Sequence, residues 1–196
     1  MRINFNNFIS FEKKLVANCS IKNNEQKEDC KIYKLNKKED RRYFLDLSKN
    51  KEWNHFHYIY VADGEFRNGL LPSEFYVLET EDEKCLGYCQ VVTDEEEYDE
   101  LYILETKPSE IADNENRQRK YIGETLLSFL VKKAFKKGKK QFLINYPAPS
   151  AYFFYEDKCG FKYDRKQERL ALTPIASEKL ISQNEKHTNG KIEIIA

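Results

Sequence analysis

Hydrophobic and polar positions change period several times along the chain, and the changes outline a fold. Cys30-Lys31-Ile32-Tyr33-Lys34-Leu35 alternates and predicts a first strand. Before it, Phe5, Phe8, Ile9, Phe11 and Leu15 can fall on one helical stripe, so residues 1–30 are expected to form an N-terminal arm or an extra helix. Lys38 to Leu47 predicts a short helix. The aromatic segment from Trp53 to Pro72, broken by Asp63-Gly64 and Asn68-Gly69, predicts a helix and a loop. Three strands then follow closely: Phe75–Thr80, Cys85–Thr93 and Tyr98–Thr106, joined by the polar turns Glu81–Lys84 and Asp94–Glu97. Links this short imply an antiparallel meander.

After a polar loop from Lys107 to Gln118 the period lengthens. Ile122, Leu126, Leu130 and Ala134 recur four apart, as do Leu127, Val131 and Phe135, which predicts a strong helix. Lys132, Lys133, Lys136 and Lys137 suit the negative end of its dipole, and Gly138 suits the position after its last turn. Gln141–Tyr146 reads as a buried strand, Ala151–Lys158 as a short aromatic helix and Phe161–Leu172 as one final strand. Residues 174–196 leave room for a helix and a short strand at Ile192–Ile195, free to pair within the chain or with a neighbouring one. The alternation implies an α+β class: a mixed, mostly antiparallel sheet flanked by helices.

Composition narrows the function classes. Thirteen Tyr and 13 Phe can supply a core although 34% of the 196 residues are charged. Lys plus Arg is 33 and Asp plus Glu is 33, a balance that argues against a dedicated nucleic-acid binder. No stretch approaches the ~18 apolar residues of a membrane span, and the N-terminus lacks a signal-peptide run. Five scattered cysteines cannot form a full disulfide framework, which points to a reduced, cytoplasmic compartment. No Cys/His spacing suggests zinc, so no metal is expected. Cys85 and Cys89, four apart in one strand, are expected to share a face, and His55 and His57 read as packing or surface residues.

The chemistry concentrates around the strong helix. Gln118-Arg119-Lys120-Tyr121-Ile122-Gly123 sits at its start, where free backbone N–H groups and the helix dipole attract a phosphate. Arg119 and Lys120 would add to the attraction, and Gly123 would let a ligand approach the backbone. Downstream lies Phe154-Tyr155-Glu156-Asp157-Lys158-Cys159-Gly160-Phe161. Together these segments resemble the GNAT superfamily of N-acetyltransferases. Gln118 and Gly123 match the ends of that family's phosphate signature, while Tyr121 stands where its first Gly is usual. The downstream run resembles the family's Phe-Tyr-Glu-Lys-x-Gly-Phe segment, and Ala148 occupies a position usually held by Asn.

The resemblance implies a GNAT-like domain over residues 31–172, with 1–30 and 173–196 as extensions, and a splayed mixed sheet. Acetyl-coenzyme A (acetyl-CoA) would lie between the strands at Tyr98–Thr106 and Gln141–Tyr146. Its pyrophosphate would meet residues 119–124 (Arg119, Lys120, Tyr121, Ile122, Gly123 and Glu124), next to Gln118. Its pantetheine arm would follow Ile103, Leu104 and Glu105, with Asn145 and Tyr152 nearby. Tyr155 matches the family tyrosine that returns a proton to the departing thiolate. The phenol's ordinary pKa, ~10, is not far above that of a thiol. Glu100 is the expected base. Glu105 can join it only if a bulge puts both on one sheet face. The acceptor would be a primary amine on a small molecule, a peptide N-terminus or a lysine, and the protein a monomer or homodimer. Eleven acidic residues between Glu79 and Glu105 against Lys84 suggest either solvated turns or an acidic rim for a cationic acceptor. The alternatives are a longer acyl donor, a catalytically degenerate relative that binds CoA or a partner protein without turnover, or a nucleic-acid-associated protein that uses the Lys-rich helix end.

Overall fold

The fold, taken from a computed structural model, is described for residues 13–35, 53, 73–82, 84–93, 96–111, 115–144 and 147–195. The expectations for Phe5–Phe11, the helix at 38–47, the segment 54–72, Asn145 and Tyr146 lie outside these residues. A hairpin of β1 (Lys14–Asn23) and β2 (Gln26–Leu35) leads into the meander of β3 (Ser73–Thr80), β4 (Cys85–Val92) and β5 (Tyr98–Thr106). The two-residue β6 (Arg119–Lys120) pairs with β1 and precedes helix α1 (Ile122–Lys136). Then come β7 (Gln141–Ile144), β8 (Lys162–Asp164), β9 (Arg169–Leu172), helix α2 (Pro174–Thr188) and β10 (Glu193–Ile194). The sheet runs β10-β1-β2-β3-β4-β5-β7-β9-β8. Among the described residues every neighbouring pair in this order is antiparallel except β5 and β7, which run parallel. This is the mixed, mostly antiparallel sheet flanked by helices that the order of elements implied.

Several local expectations give way. Residues 14–23 are a strand, not an arm or a helix. Ala17, Cys19 and Ile21 alternate and are buried, so period two overrides the looser helical spacing that included Leu15. The expected strand Phe161–Leu172 is a hairpin. The Asp164 carboxylate accepts the N–H groups of Lys166 (2.8 Å) and Gln167 (3.3 Å), and Glu168 turns the chain at φ 55°. The short aromatic helix is a 3₁₀ turn, Pro149–Ala151, that leads into a π-turn, Phe154–Lys158, in which the Cys159 N–H reaches the Phe154 carbonyl at 3.1 Å. The last strand, β10, pairs within the chain, Ala17 opposite Ile194.

The register shifts once in β1, between Leu15 and Ala17, and again at two places that reset the faces near the site. In β4, Leu78 opposes Gly87 while Glu79 opposes Cys85, leaving Leu86 as the extra residue. In β5, Gln90 opposes Ile103 while Val91 opposes Leu101, leaving Tyr102 extra. Each insertion flips the alternation beyond it. Cys85 therefore faces the Trp53 side and Cys89 the helices, against the expectation that they share a face.

The larger core lies between the sheet and the helices and joins residues such as Ile32, Leu78, Leu101, Leu126, Phe129 and Leu172. A second cluster of Leu35, Trp53, Phe75, Val77 and Tyr88 covers the other face. Helix α1 is buried almost all round from Ile122 to Val131, including the polar Thr125 and Ser128. Its sheet side carries the apolar rows. Asn184 of α2 reaches Thr125 on another side, which explains why a one-faced pattern understates the burial. Gly138, at φ 84°, ends α1 with its N–H on the Phe135 carbonyl, as the spacing predicted.

Candidate active site

Among the described residues β5 and β7 pair in parallel over Tyr98–Leu101 against Gln141–Ile144. Ile103, Leu104 and Glu105 continue β5 beyond Leu101, on the half that runs towards the first turn of α1. Two glycines let these parts meet. A methyl at Gly87 would sit 3.0 Å from the Glu105 carbonyl, Ile122 Cγ2 and Leu126 Cδ1. The bare backbone of β4 thus lets α1 settle against the end of β5. At Gly123 a methyl would stand 3.5 Å from Thr106 Cγ2 and 3.6 Å from Phe154 Cζ, ordinary contact distances. The end of β5, the start of α1 and the π-turn therefore converge on Gly123.

The loop before α1 is held from several directions. Glu110, nearly buried, accepts the backbone N–H groups of Gln118 (3.0 Å) and Arg119 (2.6 Å). The Arg119 guanidinium pairs with Glu28 at 2.7 Å and Glu110 at 3.5 Å, which raises its pKa further through the Glu28 hydrogen bond. Lys120 pairs with Glu25. These cations, expected to face a phosphate, are thus tied to carboxylates of the β1–β2 hairpin and of the loop itself. The N–H groups of Ile122, Gly123 and Glu124 have no acceptor within the helix, and Tyr121 offers no side-chain cap. Tyr121 has φ 70°, a conformation that costs a non-glycine residue roughly 1–3 kcal/mol. Its ring stacks on His187 of α2, centroids 4.9 Å apart and planes at 21°.

Tyr155 is buried in the larger core, edge-on to Phe154 and Phe161 at 5.0 and 6.0 Å. Burial pushes its phenol well above the ordinary value, and the Cys159 and Cys89 thiols add to the effect. Tyr152 is exposed on the same segment. The Tyr102 bulge decides the question left open for the two glutamates. Glu100 opposes Val92 and Glu105 opposes Tyr88, so both lie on the Trp53 side of the sheet. Glu100 accepts from Arg169 at 3.3 Å where β5 is still paired with β7. Glu105, further along β5, accepts from the Tyr88 hydroxyl. Among its described residues the acidic run does not gather into one rim. Its two turns lie at opposite ends of β4, and Glu79 and Asp99 are buried against Lys13 (2.5 Å) and Lys139 (3.4 Å).

Four contributors escaped the sequence. Gly87 carried a signal, since an isolated glycine in a strand marks a bulge or close approach. Glu110, Glu28 and His187 carried none, because each acts across a distance that only the folded path sets. Among the described residues no group of three or more His, Cys, Asp or Glu could hold a metal, and no helix is long and apolar enough to cross a membrane.

A mostly antiparallel sheet with one parallel pair, and a helix that starts beside the first strand of that pair, is the acetyltransferase class of fold. The chain belongs to the acetyltransferase (GNAT) family, whose model matches residues 31–161. Its structure is similar to a putative GNAT-family acetyltransferase from Desulfovibrio desulfuricans (TM-score 0.54, 12% identity, 74% of this chain and 98% of that one). It is also similar to a putative acetyltransferase from Exiguobacterium (TM-score 0.52, 14%, 77% and 97%). A third similar structure is a GNAT-family acetyltransferase from Brucella melitensis in complex with acetyl-CoA (TM-score 0.51, 14%, 74% and 88%). Likeness at these identities establishes the fold. Comparison with curated proteins gives no significant match.

Proposed function

We propose that the protein is an N-acetyltransferase that moves the acetyl group of acetyl-CoA to a primary amine. The observation that carries this reading is the convergence at Gly123 of the β5 end, the α1 N-terminus and the turn bearing Tyr155, in a chain of an acetyltransferase family. The donor supplies an activated thioester. The N–H groups of Ile122, Gly123 and Glu124 suit its pyrophosphate, and the strand edge at Ile103, Leu104 and Glu105 suits its pantetheine arm. A backbone N–H on that edge would polarise the thioester carbonyl. Arg119 and Lys120 act by holding the loop.

The acceptor nitrogen attacks the thioester carbon directly, so the C–N bond forms as the C–S bond breaks. Holding the two reactants in line supplies much of the rate. The proton lost by the amine goes to a carboxylate on the Trp53 side. We assign this role to Glu105, which lies on the strand stretch proposed for the pantetheine arm and holds the Tyr88 hydroxyl; Glu100 pairs with Arg169. Tyr155 gives its proton to the departing sulfur. Burial keeps the phenol protonated at neutral pH. The same dryness pushes the neighbouring Cys89 and Cys159 thiols up, so a thiolate expelled here is a correspondingly stronger base.

The left-handed Tyr121 favours one alternative, a loop altered enough to bind CoA or a partner protein without turnover. Calorimetry with acetyl-CoA, free CoA, ADP and a longer acyl-CoA tests the donor, and an amine panel then tests turnover. Micromolar binding that prefers acetyl-CoA, with turnover lost in Tyr155→Phe, supports the proposal. Binding with no turnover on any amine supports the alternative, and no binding removes both CoA readings.

A further inference from the structure

The geometry points to His187 as a positioning residue for donor binding, an inference that rests on the N-acetyltransferase reading. Tyr121 holds a backbone conformation natural to glycine, and the N–H groups of Ile122–Glu124 follow it directly. Their direction depends on Tyr121 staying there. Tyr121 has no side-chain cap to keep it in place. Its ring is stacked on the imidazole of His187, centroids 4.9 Å apart. His187 lies in the last turn of α2, and neither α2 nor His187 belongs to the segment that matches the family model.

That helix is itself fixed at the same place. Asn184, one turn before His187 and on the same side of α2, donates from Nδ2 to the buried Thr125 hydroxyl at 3.1 Å. Thr188 donates to the Asn184 carbonyl at 2.9 Å. The Thr125 N–H in turn donates to the Tyr121 carbonyl at 2.9 Å and closes the first turn of α1. Thus α2 grips that turn at both ends, Tyr121 by ring stacking and Thr125 by a hydrogen bond, with the three N–H groups between. Without the imidazole, Tyr121 relaxes towards negative φ and the N–H groups lose their common direction. Glycine at 121 would need no such support, because it adopts φ 70° without a steric penalty.

The test measures acetyl-CoA affinity and steady-state kinetics for the wild type, H187A, H187F, Y121G and Y121G/H187A. His187 is exposed, so these variants are expected to fold. Loss of one aromatic stack predicts a rise of about threefold to tenfold in Kd and KM for acetyl-CoA in H187A. The value of kcat stays within about twofold, and H187F restores affinity because it keeps a ring to stack. In the Y121G background the H187A change has no further effect. The inference is overturned if H187A binds like the wild type, if it changes kcat alone, or if it weakens binding by the same factor in the Y121G background. A wild type that binds no acetyl-CoA overturns the functional reading and this inference with it. Wild-type binding with an unchanged H187A overturns the inference only.

Discussion

Gly87→Ala is a sharp probe of how the cleft is built. The added methyl meets three atoms at 3.0 Å: the Glu105 carbonyl, Ile122 Cγ2 and Leu126 Cδ1. Favourable carbon contacts lie at about 3.5–4.0 Å, so each neighbour must yield by about 0.5 Å. One neighbour is strand backbone and cannot rotate away. Overpacking of this kind costs about 1–3 kcal/mol. At roughly 2–4 °C per kcal/mol for a chain of this size, Tm should fall by about 2–12 °C. Gly123→Ala is the matched control. Its methyl finds contacts at 3.5 and 3.6 Å, and alanine suits a helix better than glycine by about 0.5–1 kcal/mol, so Tm should hold or rise slightly. The displaced groups, Glu105 and Ile122, line the proposed donor site, so Gly87→Ala should also weaken acetyl-CoA binding by on the order of tenfold. Calorimetric melting and titration of both variants provide the readout. If Gly87→Ala melts within about 1 °C of wild type and binds equally well, close approach is not what this glycine provides.

Other outcomes follow from the same geometry. Burial acts to raise the Glu74 carboxyl, but hydrogen bonds from Lys133, Lys34 and Tyr76 outweigh it and bring it down to about 2. Its contribution to stability is therefore present above pH ~4.5 and lost as pH falls through about 2. Glu74→Gln should cost about 1–2 kcal/mol at neutral pH after allowance for solvent screening, and the difference in melting should vanish near pH 2. Glu105→Gln should lower kcat by roughly 10²-fold or more with little change in melting, and Glu100→Gln by much less; the reverse order in steady-state rates would return the base to Glu100. Glu110→Ala leaves two backbone N–H groups and Arg119 without their carboxylate. It should cost about 1–3 kcal/mol in unfolding and raise the Kd for acetyl-CoA; an unchanged Kd would detach Glu110 from the donor loop.

What was legible in the sequence followed local periodicity. The meander, α1 with its Gly138 stop, the class of sheet and the two motifs could all be read because each depends on neighbours within a few residues. The misses share another cause. Leu86 and Tyr102 are ordinary residues in alternating runs; Gly87 hints at the bulge beside it, but nothing local marks Tyr102 as extra. Yet they decide which face Cys85 and Glu105 occupy. The hairpin at 162–172 hid because its turn is made by Asp164 and a left-handed Glu168 rather than by glycine or proline. In the candidate site, Tyr121, Gly123 and Tyr155 were legible as types in a pattern. The carboxylates that tie up Arg119 and Lys120 were not, because Glu25 and Glu28 lie more than 90 positions earlier.

The loop before α1 draws its supports from both sides of the sequence, Glu25 and Glu28 ahead of it and Asn184 and His187 after it. During synthesis the hairpin is already available when residues 118–124 emerge, but the imidazole is not. At about 5–20 residues per second, Tyr121 waits roughly 3–13 s for its stacking partner. Over that interval its backbone is held only by the β6 pairing and the first turn of α1 and lacks the stacked imidazole. The contact can close only after α2 has emerged, so this support of the loop is added after those of the hairpin. A nascent chain long enough to form the sheet and α1 would still present an unfinished turn, which settles only when α2 docks.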